Sequence, residues 1–264
     1  MGLIVPLTAG QPSDLLAAAQ TVPADVVDFL EWRLDFFAPA VEEAESGANT
    51  VSRSLLATIQ NLWEACLTAS TAPLLFTWRT MAEGGQCPAQ LSWYRDLLER
   101  LVEARVPALD IEYAALDRVY EEKLLAVARS GGSATVLSKH YFSGTPDLVD
   151  LSAELSEMAD FQPSYVKLAC LPLKNLDVAN LMVATARTKQ QKNVALITMA
   201  MGSTGVISRL IGDRFGSSFS FVTAGKASAP GQVPLADFLR WRQSYESLAD
   251  RTGQVQKGGL SWTD

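Results

Sequence analysis

Eight short β-type runs recur along the chain, with amphipathic helical stretches in most of the gaps between them. The runs are residues 3–8 (LIVPLT), 26–34 (VVDFLEWRL), 73–79 (PLLFTWR), 108–113 (ALDIEY), 134–141 (ATVLSKHY), 164–170 (SYVKLAC), 194–200 (VALITMA) and 219–224 (FSFVTA). Each is rich in Val, Ile, Leu, Phe or Tyr and is bounded by turn or polar residues. Residues 91–105 place Leu91, Tyr94, Leu97, Leu98 and Leu101 on one helical stripe, and 177–190 and 234–250 read the same way. Parallel strands need a crossover between them, and each gap accommodates a helix. Eight such units in a chain of 264 residues satisfy the requirement of a (β/α)8 barrel. A doubly wound open sheet is the competing architecture, disfavoured by the regular spacing and by the lack of a GxGxxG motif. The one wide gap contains an acidic stretch, APAVEEAESGANT (38–50), which reads as a solvated surface loop. No linker divides the chain, so a single barrel domain over 1–264 is expected, with a polar tail from residue 251.

Composition narrows the function. The chain is 48% hydrophobic, enough for a core that needs no disulfide or metal staple. Lys and Arg number 22 against 29 Asp and Glu, a net charge of −7. That balance argues against general affinity for nucleic acid or anionic membranes, while leaving room for a local basic pocket. Cys66, Cys87 and Cys170 form an odd set without CxxC spacing and read as free thiols in a reducing compartment, the cytoplasm. The N-terminus lacks the basic region of a secretory signal, and no apolar run reaches membrane-spanning length. A single histidine, His140, excludes any mechanism that needs two.

The anomaly lies in the polar residues within the strands. Side chains alternate between faces, so Phe29, Glu31, Arg33 and Asp35 share one face of the second run. Thr77 and Arg79, Asp110 and Glu112, Ser138 and His140, and Tyr165 and Lys167 pair likewise in the next four. Thr198 is the polar residue of the seventh run, with Met199 and Met201 on the other parity. The charges cluster toward the C-terminal strand ends, where a barrel of this type carries its active site. A charge in a buried strand is costly unless paired or functional.

Each residue also has a plainer reading. Lys167 can snorkel to the barrel mouth, and His140 can be a hydrogen-bonded structural group. Glu31 and Arg33 can form an intrastrand ion pair. Asp110 and Glu112 read as partners of nearby arginines. Met199 and Met201 suit either core or pocket wall. Ser208 and Arg209 follow a Gly-rich turn, MGSTG (201–205), and a helix beginning there can aim backbone N–H groups at an anion. Together these residues suggest imine chemistry. A lysine inside an apolar barrel, desolvated and near cations such as Arg33, Arg79 and Arg209, can act as a nucleophilic amine. Its protonated imine is an electron sink, and one histidine can move the protons. Glu83, in EGG, is the candidate to orient that ring.

The chain resembles the type I 3-dehydroquinate dehydratases. The resemblance rests on EWRLD (31–35), TWRT and EGG (77–80, 83–85), DIEY (110–113), SKHYFSGTP (138–146), YVKLA (165–169), ITMAMGSTGVISR (197–209) and ASAPGQ (227–232). It spans about residues 3–240, in the family's order. It implies a (β/α)8 barrel that dehydrates 3-dehydroquinate to 3-dehydroshikimate through a lysine Schiff base, with no metal or organic cofactor, as a homodimer. Matched by position, Lys167 forms the imine, His140 is the acid–base, and Glu83 pairs with it. Arg209 grips the substrate carboxylate. Glu31, Arg33 and Arg79 line the charged pocket, and Ser228 and Gln232 come from a mobile loop. Met199 and Met201 form the apolar wall. Two departures stand out: Pro6 occupies a place where some relatives carry serine, and the first strand starts near residue 3, where some relatives have a hairpin that plugs the barrel bottom. A Schiff-base aldolase, or a barrel that binds ligand without chemistry, is the alternative reading. The ASAPGQ loop and the histidine of the fifth run favour the dehydratase.

Overall fold

The period-two pattern becomes a ring of parallel strands. The computed structural model describes residues 1–225 and 227–256. Its strands are β1 (Gly2–Leu7), β2 (Phe29–Arg33), β3 (Leu74–Thr77), β4 (Ala108–Glu112), β5 (Ala134–Tyr141), β6 (Tyr165–Cys170), β7 (Ala195–Ala200), β8 (Phe219–Thr223) and β9 (Val233–Pro234). The helices are α1 (Pro12–Thr21), α2 (Ala38–Glu45), α3 (Arg53–Ala69), α4 (Leu91–Glu103), α5 (Arg118–Ser130), α6 (Leu148–Asp160), α7 (Asn175–Gln191), α8 (Gly202–Ile211) and α9 (Leu235–Gln256). Strands β1 to β7 pair in chain order, and β8 pairs with β1. The β7–β8 seam is closed by a parallel bridge, Leu196 to Ser217, where Ser218 N–H donates to Leu196 O at 2.6 Å. The expected (β/α)8 barrel is therefore present.

Helix starts follow local chemistry. Ser52, Asp117 and Asp147 cap α3, α5 and α6 by accepting N–H bonds on their side-chain oxygens. Leu55, Ile59, Leu62 and Cys66 then form the buried stripe of α3.

Three expectations need correction. The 38–50 stretch is not wholly a loop: Ala38–Glu45 is helical, with Ala40 and Ala44 buried. Its charge pattern concealed two small residues at i, i+4 spacing, which let this helix pack closely. Leu91 is exposed at the first residue of α4, and Trp93 is buried in addition to the predicted stripe. Thr198 faces the outer layer, where it bonds Thr185 of α7 at 2.7 Å. The inward positions near the end of β7 belong to Met199 and Met201.

Inward side chains are layered from bottom to mouth. Ile4, Leu75, Ala108, Val136 and Ile197 form an apolar lower cluster with Phe29, Tyr165 and Phe219 packed against it. Those three aromatics, from β2, β6 and β8, meet edge to face with centroids 5.3–6.4 Å apart. They fill the lower end of the barrel, so the described residues close it without a hairpin. Two residues further along β2 to β6 the inward positions turn polar: Glu31, Thr77, Asp110, Ser138 and Lys167.

At the mouth, β8 leaves the ring and the chain returns beside it as β9, with Val222 opposite Val233. This anchors both ends of the ASAPGQ segment. The polar tail expected from residue 251 is helical as far as Gln256, the end of α9, and its remainder lies outside the described residues. Cys66, Cys87 and Cys170 are free and buried. Among the described residues, no helix is long and apolar enough to cross a membrane.

Candidate active site

A pocket at the C-terminal mouth is lined by every residue to which the family resemblance gave a role: Glu31, Arg33, Arg79, Glu83, His140, Lys167, Met199, Met201, Arg209, Ser228 and Gln232. Gly84, Phe142, Ala169, Phe221, Ala229 and Pro230 complete it.

Lys167 stands at the floor, 4% exposed. Its Nζ lies 3.3 Å from Asp110 Oδ2 and 3.7 Å from Glu31 Oε1, with the Phe221 ring 4.5 Å away. The sequence reading placed cations beside this amine; the charged groups nearest to it are carboxylates. Arg33 and Arg79 are committed elsewhere. Arg33 makes a two-pronged bond to Asp35 at 2.7 Å on each arm, so the Glu31–Arg33 pair does not form. Two residues along a strand is one layer of the barrel, whereas Asp35 lies in the turn after β2 and folds back to the guanidinium.

Arg79 is the hub of the site. Its guanidinium donates to Asp110 Oδ1 at 2.9 Å, Glu112 Oε1 at 3.0 Å and Ser138 Oγ at 2.9 Å, and reaches Glu83 at 3.5 Å. Asp110 and Glu112 are thus arginine partners, as read from the sequence. Burial opposes the charge on Arg79, but Asp110, Glu112 and Glu83 outweigh it and hold the guanidinium above its ordinary value. A buried network like this adds little net stability, since desolvation offsets the attraction. It does fix geometry.

Glu83 follows β3 in a short 3-10 turn ended by Gly84, whose φ of +85° is left-handed. A Cβ there would strike the Phe142 ring. The turn carries Glu83 into the mouth, where Oε2 meets His140 Nδ1 at 2.9 Å. Lys139 approaches the other oxygen at 3.4 Å, and Phe142 stacks on the imidazole with a 6.3 Å centroid separation. Burial pushes the Glu83 carboxyl up to about 8, against the pull of Arg79. Burial also holds His140 well below its ordinary value, helped by Arg79 and Lys167. Glu83 is therefore the member of the pair that titrates closest to neutrality. Nδ1 is committed to Glu83, which leaves Nε2 for a ligand.

Arg209 differs from the other two arginines. It is 2% exposed and has no carboxylate partner among the described residues. Its terminal nitrogens donate to Met199 Sδ and Pro230 O, each at 3.3 Å, and its Nε has no hydrogen-bond partner there. Burial lowers it to about 10. Its helix, α8, begins at Gly202, inside the MGSTG turn and not after it. The ASAPGQ loop lies over this end: Pro230 O accepts from Gly202 N–H at 3.2 Å. Gly231, at φ +77°, sits so close to Gly202 that a Cβ would collide with its backbone. Within the loop, Ser228 and Gln232 bond each other, backbone N–H to Oε1 at 2.8 Å and Nε2 to Oγ at 2.9 Å.

Sequence reasoning overlooked Phe142, Phe221 and the contact of Asp110 with Lys167. Strand parity carried a signal for Phe221, two residues beyond inward-facing Phe219. Nothing local indicated which cation Asp110 would meet. Among the described residues, no group of three or more His, Cys, Asp or Glu side chains is arranged to hold a metal ion.

The chain resembles known proteins over nearly its whole length. Residues 3–248 match the family model of type I 3-dehydroquinase. A 3-dehydroquinate dehydratase of Lactiplantibacillus plantarum is 33% identical over 236 residues, covering 88% of each chain. The crystal structure of 3-dehydroquinate dehydratase from Geobacillus kaustophilus superimposes with a TM-score of 0.81 at 31% identity, covering 93% of this chain and 91% of that one. The Clostridium difficile type I enzyme, determined with covalently modified comenic acid, gives 0.82 at 26% identity over 93% and 92%. With the fold, the pocket and these matches in agreement, this chain belongs to the type I 3-dehydroquinase family.

Proposed function

We propose that this chain dehydrates 3-dehydroquinate to 3-dehydroshikimate through an imine on Lys167, a step of the shikimate pathway or of quinate breakdown. The observation that carries the reading is the company Lys167 keeps. One pocket combines a buried amine, an imidazole held by a carboxylate, and a buried guanidinium without a carboxylate partner among the described residues. Such a set fits a ligand that brings a ketone, an acidic C–H and a carboxylate.

The steps follow from that chemistry. The Lys167 amine adds to the C3 ketone, and the carbinolamine loses water to give a protonated imine. The iminium acidifies C2, and His140 Nε2 takes the proton. The enamine returns its electron pair and expels the C1 hydroxyl, which His140 protonates so that it leaves as water. A second water then hydrolyses the imine, releasing the enone and the amine. Glu83 orients the ring through Nδ1. Arg209 takes the carboxylate, while Glu31, Arg33 and Arg79 face the hydroxyl-bearing side of the ring. Met199 and Met201 form the apolar wall, and Ser228 with Gln232 contributes polar contacts from the loop. The iminium supplies the electron sink, so no metal or organic cofactor enters. General acid–base catalysis contributes about 10²–10⁴-fold, leaving a large share to imine formation and positioning.

The reading includes a cytoplasmic homodimer, supported by family membership and by three free, buried thiols. The deciding experiment is borohydride reduction with and without 3-dehydroquinate, followed by intact mass and peptide mapping. A single adduct on Lys167 is expected. No adduct, or one on Lys139, overturns the mechanism.

A further inference from the structure

Asp110 has a feature that its pairing with Arg79 does not require. The carboxylate is fully buried, and its two oxygens are divided. Oδ1 accepts from Arg79 at 2.9 Å and from Ser138 Oγ at 2.7 Å, while Oδ2 faces Lys167 Nζ at 3.3 Å. Arg79 already has Glu112 at 3.0 Å and Glu83 at 3.5 Å. A partner for Arg79 alone would need one oxygen and no anchor from Ser138. Ser138 lies directly opposite Lys167 in the β5–β6 register, yet gives its hydroxyl to Asp110.

We propose that Asp110 is a positioning residue that acts through Lys167: with Oδ1 clamped by Arg79 and Ser138, Oδ2 holds the nitrogen in line for attack and then fixes the plane of the imine. This rests on the imine reading given above. Before attack, the flexible lysine stem would otherwise sample many rotamers. The bond to Oδ2, with the Phe221 ring beside Nζ, selects one. After imine formation the nitrogen keeps a single N–H, which lies in the C=N plane. A bond from that N–H to a clamped oxygen sets the orientation of the plane. The C2 proton must leave perpendicular to it, so Asp110 also sets the direction from which His140 must approach. Burial opposes the charge on Asp110, but Arg79 and Lys167 outweigh it and hold the carboxyl below its ordinary range, so the clamp is ionised at working pH.

The test is Asp110→Asn. Asn retains the shape and a carbonyl for Arg79 and Ser138, and turns an N–H2 toward Lys167. Misplacement by about 1 Å can cost 10²-fold, so kcat should fall at least about tenfold with KM almost unchanged. Borohydride-trapped adduct on Lys167 should form correspondingly more slowly yet reach the same final extent. Wild-type kcat, or a rise in KM in place of a fall in kcat, overturns the proposal. If Asp110→Asn does not fold, Ser138→Ala removes one anchor of Oδ1 and leaves every charge in place. A fall in kcat at constant KM then supports the clamp, and unchanged kcat overturns it. The two readings fail differently. Absence of any adduct in the wild-type protein sinks the imine mechanism, whereas a variant that forms adduct as fast as wild type sinks only the role of Asp110.

Discussion

Replacing Arg209 should weaken the enzyme and strengthen the fold. Most buried arginines are paired, and removing one strands its partner at a cost of about 3–5 kcal/mol. Arg209 has no such partner among the described residues, and its Nε is unsatisfied. Burial brings the guanidinium from 12.5 to about 10. At about 1.4 kcal/mol per tenfold change, that is on the order of 3 kcal/mol of uncompensated charge burial. Arg209→Met keeps the length and places a thioether beside Met199. It gives up the bond to Pro230 O, worth about 1 kcal/mol. The free variant should therefore be more stable by roughly 2 kcal/mol, the difference of those contributions. For a chain of this size each kcal/mol raises Tm by about 2–4 °C. With the substrate the sign reverses, because losing a buried charge pair costs about 3–5 kcal/mol, or 10²–10³-fold and more in kcat/KM. Thermal unfolding of the free protein and steady-state rates of enone formation measure the two effects. A variant destabilised in the absence of ligand would show that the guanidinium has a structural partner. A loss in kcat/KM below about tenfold, 1.4 kcal/mol, would show that it does not hold the carboxylate.

His140→Ala should still form the Lys167 imine but stall after it. Intact mass after borohydride should show substantial adduct while turnover falls at least about 10²-fold, and near-normal turnover would make the sole histidine structural. The pH dependence of kcat/KM should follow the His140–Glu83 pair as a unit. Glu83 is raised to about 8, so its ionised form, which accepts Nδ1–H and leaves Nε2 free as base, is lost as pH falls through that value. In Glu83→Gln an amide carbonyl can accept Nδ1–H at any pH, so the limb near 8 should vanish; its persistence would assign it to another group. Phe219→Ala should open the aromatic plug and cost about 3 kcal/mol, the low end for a large-to-Ala change because the ring is partly exposed. Denaturant titration reads this directly, and a loss under about 1 kcal/mol would mean that the barrel bottom is held by something else.

Much of this protein was legible in one dimension, for a local reason. A strand alternates its faces every residue, so parity alone sent Glu31, Thr77, Arg79, Asp110, Ser138, His140 and Lys167 inward. Recurrence of the strand–helix unit specified the ring, and the ends of the runs placed the charges at its mouth. The Gly residues of EGG and ASAPGQ marked backbone turns that only glycine accepts without strain, at Gly84 and Gly231. The motifs identified the chemistry.

What the sequence left open was pairing. Parity put Arg79 and Lys167 on the same interior without saying which carboxylate each would meet. The curvature and stagger of the ring bring β3, β4, β5 and β6 together around Arg79, give Lys167 carboxylate neighbours instead of cations, and leave Arg209 with none among the described residues. Arg33 turned to Asp35 because the chain bends after β2, a contact that strand spacing cannot express. The acidic 38–50 stretch became partly helical because Ala40 and Ala44 found a surface to pack on. Alternation and turn chemistry are properties of neighbouring residues, and a single chain carries them. Electrostatic partnership falls off within a few ångströms, and only the closed barrel decides which distant residues come that near.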